Sequence, residues 1–159
     1  MKTAVIYYSF EGNSTAVASL LAERFKADIF PVELKDAKKR KGFAKYAWGG
    51  SMVFMHRTPP VKPLAINIDA YDLIILGCPV WAASPAPPLV SFLKGTKITG
   101  KKVALYCCHA GGKGGAMEKL KALIPGNTIA GEIDFHNPGS IDKNTLSAQL
   151  DEWIKTIKL

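Results

Sequence analysis

Short apolar runs alternate with stretches of helical periodicity along the whole chain. "TAVIYY", Thr3 to Tyr8, is short, continuous and rich in β-branched and aromatic residues, which predicts a strand buried on both faces. "NSTAVASLLAERF" follows, with Val17, Leu20, Leu21 and Phe25 on one face of a predicted helix. "ADIFPV" predicts a second strand, "DLIILGC" (Asp72 to Cys78) a third, "KKVALYCC" a fourth and "TIAGEIDF" a fifth. "PPLVSFLKG" predicts a helix with prolines in its first turn and glycine at its end, and "GAMEKLKALI" predicts another. The C-terminal "IDKNTLSAQLDEWIKTIKL" puts Leu146, Leu150, Trp153 and Ile157 on one stripe. From about Lys38 to Met55, Phe43, Tyr46, Ala47 and Met52 have helical spacing that Gly49-Gly50 is expected to break. "RTPPVKPL" is a loop by its three prolines.

Five strands alternating with helices imply right-handed βαβ crossovers and a parallel sheet between two layers of helices. There is no internal repeat and no long linker, so residues 1–159 are expected to form a single domain. In such sheets ligands bind beyond the carboxyl ends of the strands, where strand order reverses. The loops that matter then follow strands 1, 3 and 4, and begin at Ser9, Pro79 and Cys108.

Composition narrows the classes. With 48% hydrophobic and 21% charged residues the chain is ordinary globular protein, not disordered. No apolar run approaches the ~18 residues of a membrane span, and the apolar start is too short for a signal peptide. Cys78, Cys107 and Cys108 fit neither a disulfide framework nor a zinc spacing, so the cytoplasm is the default address. Net charge is +8, and Lys35 to Lys45 ("KDAKKRKGFAK") holds six basic residues against one acid. That stretch reads either as a solvated face or as a patch for an acidic partner or a phosphate-bearing molecule. No nucleic-acid motif accompanies it.

The first loop, "SFEGNST", lies between a strand and a helix N-terminus, where free N–H groups and the helix dipole make an anion site. Gly12 permits the tight turn, and Ser9, Asn13, Ser14 and Thr15 add short donors. The loop has no lysine, so the Walker pattern is absent, and a phosphate monoester held by neutral hydrogen bonds fits it better than a triphosphate. A capped helix start would need one such residue; here four cluster around one glycine.

"YSFEGNS" resembles the phosphate loop of flavodoxins and flavodoxin-like FMN proteins, a Thr/Ser-x-x-Gly-Asn-Thr/Ser run. The resemblance implies a flavodoxin-like three-layer sandwich with a five-stranded parallel sheet in the order 2-1-3-4-5. It also implies that Ser9, Glu11, Gly12, Asn13, Ser14 and Thr15 hold the FMN phosphate. Glu11 departs from the common pattern, so only its N–H is expected to contribute, with the carboxylate turned outward.

The second loop, "GCPVWAASPAPPL", is similar to the Gly-x-Pro-x-Trp stretch that flanks the flavin in such proteins. Trp81, Pro79, Val80 and Ala82 would supply the apolar and aromatic neighbours that a flat heterocycle prefers. The small Ala82-Ala83 pair would bring a backbone group near N5 of the ring. Trp81 also has a plainer reading, as packing between loop and helix.

The third loop, "CCHAGGKGGA", spans His109, Ala110, Gly111, Gly112, Lys113, Gly114 and Gly115, and its glycines free the backbone to meet the pyrimidine edge. His109 and Lys113 are its ionisable groups. A cation ~4 Å from a reduced, anionic flavin is worth up to ~4 kcal/mol at an effective dielectric of about 20. Lys113 is therefore expected to raise the potential, unless it is only a solvated loop tip.

Three rivals fail on residues. Cys107 with Lys113 has the Cys-x5-Arg spacing of low-molecular-weight tyrosine phosphatases but lacks the arginine fork that grips a phosphoryl group. Receiver domains need acidic residues after strand 1 and an Asp at the end of strand 3, where this chain has only Glu11 and then Gly77-Cys78. Adjacent strand cysteines point to opposite faces and make no redox couple. What remains is an FMN protein carrying electrons to a redox partner, with an FMN-dependent NAD(P)H:quinone or flavin-type reductase as the alternative. Familiar flavodoxins are strongly acidic, so a charge of +8 implies an acidic partner or a small-molecule acceptor such as a quinone.

Overall fold

The computed structural model describes residues 1–36, 51–55 and 58–159. The expected helix over Lys38 to Met55 and most of the Lys35 to Lys45 stretch therefore lie largely outside the described residues.

The elements run β1 (Thr3–Tyr7), α1 (Asn13–Phe25), β2 (Asp28–Pro31), β3 (Leu73–Trp81), β4 (Ser84–Pro85), α2 (Pro87–Gly95), β5 (Lys102–His109), α3 (Ala116–Ala122), β6 (Thr128–His136) and α4 (Lys143–Thr156). The sheet order is β2-β1-β3-β5-β6, all parallel, with the two-residue β4 antiparallel to the end of β3. Apart from β4 this is the expected order, 2-1-3-4-5.

The central strands are buried on both faces, which is why they read as unbroken apolar runs. Ala4, Ile6, Ile74, Leu76, Leu105 and Cys107 face one layer, with Leu89 and Phe92 of α2 and Leu120 of α3. Val5, Tyr7, Leu73, Ile75, Tyr106 and Cys108 face the other, with Val17 and Leu21 of α1 and Leu150 and Trp153 of α4. The neighbouring Cys107 and Cys108 do lie on opposite faces. Asp142 caps α4, accepting from the N–H groups of Asn144 and Thr145 at 3.0 Å each.

β3 departs from its expected end. The chain does not leave the sheet at Pro79; Val80 and Trp81 continue the strand and pair with Pro85 and Ser84. The turn residues are Ala82 (φ 45°) and Ala83 (φ 55°), both left-handed. A two-residue hairpin of that type normally draws Gly or Asn, so an Ala-Ala pair gives no turn signal. β5 likewise includes His109, whose register partner on β6 is His136.

Strand order reverses between β1, whose next strand lies on one side, and β3 on the other. The carboxyl ends there are aligned by register: Tyr7 lies opposite Gly77, and Pro79 opposite Cys108.

Candidate functional site

Gly12 stands at the N-cap of α1 with φ 95°, and no side chain on the cap residue closes the helix. Instead Ser9 reaches forward from the end of β1. Its hydroxyl oxygen accepts from Gly12 N–H (3.2 Å) and Thr15 N–H (3.3 Å). One oxygen held by two amides of a helix start marks the position an anion's oxygen would take. The first turn contains no acidic residue. Glu11 and Thr15 are both exposed.

Ser14 sits differently from the expectation of a side-chain donor. It is 1% exposed and turned into the sheet beside the Cys108 thiol, so only its backbone faces the loop. Its carbonyl accepts from the Tyr106 hydroxyl at 2.9 Å, which ties the first turn of α1 to β5. Asn13 leans on the turn after β6, where a Cβ on Gly139 would come within 2.3 Å of its Oδ1. That turn, with Asn137 left-handed at φ 43° and Pro138 buried, is a fourth loop that the sequence reading passed over.

Trp81 stands at the end of β3. Tyr8 and Phe10 both meet its ring edge-to-face, at centroid distances of 5.9 and 5.7 Å. The indole thus packs between these two rings, and Phe10 belongs to the same aromatic cluster. Phe10 was legible as an aromatic next to Ser9, but nothing in its spacing distinguished it from a loop residue. Burial pushes the Tyr8 phenol up to about 12.

The hairpin tip is gripped from below. Lys119 Nζ donates to Ala83 O (3.2 Å) and Ser84 Oγ (2.6 Å), and Ser84 Oγ donates to Ala82 O (3.3 Å). Gly114, itself at φ 49°, lies so close that a Cβ there would be 2.5 Å from Ala83 Cβ. Pro79 and Val80 are half-buried behind the tip, while Ala82 and Ala83 are exposed.

In the third loop His109 has both ring nitrogens engaged. Nδ1 accepts from Gly112 N–H at 3.1 Å, and Nε2 lies 2.9 Å from Asp134 Oδ2. Lys113 Nζ donates to Asp134 Oδ1 at 2.7 Å, so its charge is paired with a carboxylate. Asp134 on β6 is a site residue that sequence reading missed, because it sits in ordinary strand alternation. Lys113, first, and His109 hold its carboxyl below the usual range, and Asp134 in turn raises Lys113. His136 Nε2 lies 2.7 Å from Ala110 O, and Asn137 N–H donates to His109 O at 2.8 Å. Ala110, Gly111, Gly112, Gly114 and Gly115 are exposed.

The three cysteines offer no nucleophile. Desolvation pushes Cys107 and Cys108 up to about 12 each and Cys78 higher still, so all are thiols at neutral pH.

Four loops therefore meet at one end of the sheet: an amide-lined cradle, an aromatic wall, a left-handed hairpin and a glycine-rich turn buttressed from β6. A family model described as flavodoxin matches residues 2–157. Among solved structures, this chain is similar to a flavoprotein from Lactobacillus acidophilus NCFM crystallised in complex with FMN. They share 21% identity with a TM-score of 0.75, over 96% of this chain and 98% of that one. It is also similar to the WrbA-like flavodoxin from Agrobacterium tumefaciens, at 18% identity and TM-score 0.65, over 98% of this chain and 94% of that one. Rubredoxin oxygen:oxidoreductase from Desulfovibrio gigas matches at 15% identity and TM-score 0.61, over 99% of this chain but 35% of that one. A search of curated proteins finds no match.

Proposed function

We propose that this chain, which belongs to the flavodoxin family, holds FMN without a covalent bond at the ends of β1, β3 and β5 and carries electrons through it. The observation that carries the reading is the Ser9 oxygen held by two amides at the start of α1. FMN's phosphate monoester presents oxygens of that kind, and a helix start favours its charge. Gly12 and the backbone N–H groups of Asn13, Ser14 and Thr15 would take the phosphate. Trp81, with Tyr8 and Phe10 edge-on behind it, would face one side of the ring. The hairpin tip and the loop from Ala110 to Gly115 would meet its edges.

Bound FMN supplies reversible one- and two-electron chemistry; the protein fixes its orientation and excludes water from one face. Carrying electrons needs no substrate pocket. For the partner we propose an acidic protein. The net charge is +8, and the stretch 37–57 holds six of the 21 basic residues and none of the thirteen acidic ones.

One observation favours the reductase alternative. A groove of about 250 Å³ opens beside β4, lined by Met52, Val53, Pro85, Val90 and Leu123 and rimmed by Lys94 and Lys119. It offers room for a small apolar acceptor such as a quinone.

The test is titration of the apoprotein with FMN, followed by flavin fluorescence and the visible spectrum. Uptake at micromolar concentration is expected; a protein that stays colourless overturns the proposal. Rapid aerobic NAD(P)H oxidation with menadione would then move the assignment from carrier to reductase.

A further inference from the structure

We infer that His109 is a positioning residue, which as the neutral imidazole protonated on Nε2 sets the third loop so that its remaining amides meet the pyrimidine edge of FMN. The inference rests on the FMN reading for what the loop is aimed at, but not for how it is held.

The tautomer follows from the partners. Gly112 N–H points at Nδ1 across 3.1 Å, so that nitrogen must present a lone pair. The ring proton is then on Nε2, where the Asp134 carboxylate accepts it at 2.9 Å. Asp134 is itself fixed by Lys113 at 2.7 Å. The imidazole is only 8% exposed, with the His136 ring 5.6 Å away. His136 anchors Ala110 O, and Asn137 N–H anchors His109 O.

These bonds sort the loop's amides. The N–H of Gly112 turns back to the side chain three residues earlier, an arrangement its φ of 128° allows and an L side chain resists. Among the described residues, no protein acceptor takes the N–H groups of Ala110, Gly111, Lys113, Gly114 or Gly115. Carbonyls of a pyrimidine edge accept hydrogen bonds, so the amides left over are the type that edge requires. His109 thus acts on FMN through the backbone, since neither of its nitrogens is spare.

Two substitutions separate the two halves of the ring. His109→Asn places an amide oxygen near the Nδ1 position and keeps an acceptor for Gly112. His109→Gln reaches toward Asp134 with a donor but leaves Gly112 unpaired. FMN is expected to bind His109→Gln about fivefold to tenfold more weakly than wild type, the loss of roughly one neutral hydrogen bond. His109→Asn should recover most of that loss. In the apoprotein, Gly112 amide exchange should quicken in His109→Gln only, and imidazole ¹⁵N shifts of wild type should report a proton on Nε2.

Equal losses in both variants would overturn the inference, as would wild-type affinity in His109→Gln or a proton on Nδ1. If wild type takes up no FMN, the function reading fails, while the exchange and ¹⁵N measurements still decide how the loop is held.

Discussion

The Tyr106 hydroxyl donates to the carbonyl of Ser14 at 2.9 Å, linking the middle of β5 to the first turn of α1 across 92 residues of sequence. The ring reaches there by lying over Gly77, its register partner on β3, where a Cβ would come within 1.9 Å of Tyr106 Cζ. Gly77→Ala is therefore expected to displace the ring and to cost about 3 kcal/mol in urea unfolding. Tyr106→Phe keeps the packing but removes one buried hydrogen bond, at about 1 kcal/mol. Both should weaken FMN uptake, because both loosen the start of α1. A Gly77→Ala protein as stable as wild type would contradict the packing described.

Ser9→Ala removes the oxygen shared by Gly12 and Thr15. The apoprotein should lose about 1 kcal/mol, as when a helix cap is removed. Thermal unfolding with and without FMN checks the role further. The gap between wild type and variant should narrow with ligand, because the phosphate then satisfies the same amides.

All three thiols should be inert in the native state. Desolvation raises each of them, Cys107 and Cys108 to about 12, so the reactive thiolate is scarce at pH 8. A thiol reagent such as dithionitrobenzoate should count no fast-reacting group in the folded protein and three after denaturation.

Lys113 and Asp134 should act on the flavin in opposite directions. Removing the exposed cation in Lys113→Ala should lower the midpoint potential by on the order of 10–40 mV, the span of a surface charge pair of a few tenths to one kcal/mol. Asp134→Asn should raise it, since Lys113 would then be uncompensated. Potentiometry on the FMN-loaded variants checks both signs.

Asp134 also predicts an acid dependence of stability. Its partners favour the carboxylate in the folded state, so the native protein binds this proton more weakly than the unfolded chain does. The contribution is complete above about 3.9, the usual aspartate value, and declines as pH falls through it toward the lower native value. Wild type and Asp134→Asn should converge in urea unfolding over that interval.

The sheet was legible in the sequence because its strands are buried on both sides, so an apolar run such as "LIILGC" has one reading. The first loop was legible because small polar residues cluster on Gly12 between a strand and a helix. Ala82-Ala83 was not, since its left-handed turn is imposed by Lys119 and Gly114, which are distant in sequence. Asp134, Asn137 and Gly139 were missed for a related reason. They stand at the end of an edge strand, and only the β5–β6 register brings them to His109 and Asn13. Ser14 looked like one more phosphate donor, but helical geometry turns its hydroxyl inward.

The grip of Lys119 on the hairpin, and the contact of Ala83 with Gly114, have a mechanical consequence. The segment carrying Trp81 and the segment carrying Lys113 are braced against each other, so neither shifts alone. Any molecule that pries at one edge of the crevice strains the opposite edge too, and its mouth widens or narrows as one piece.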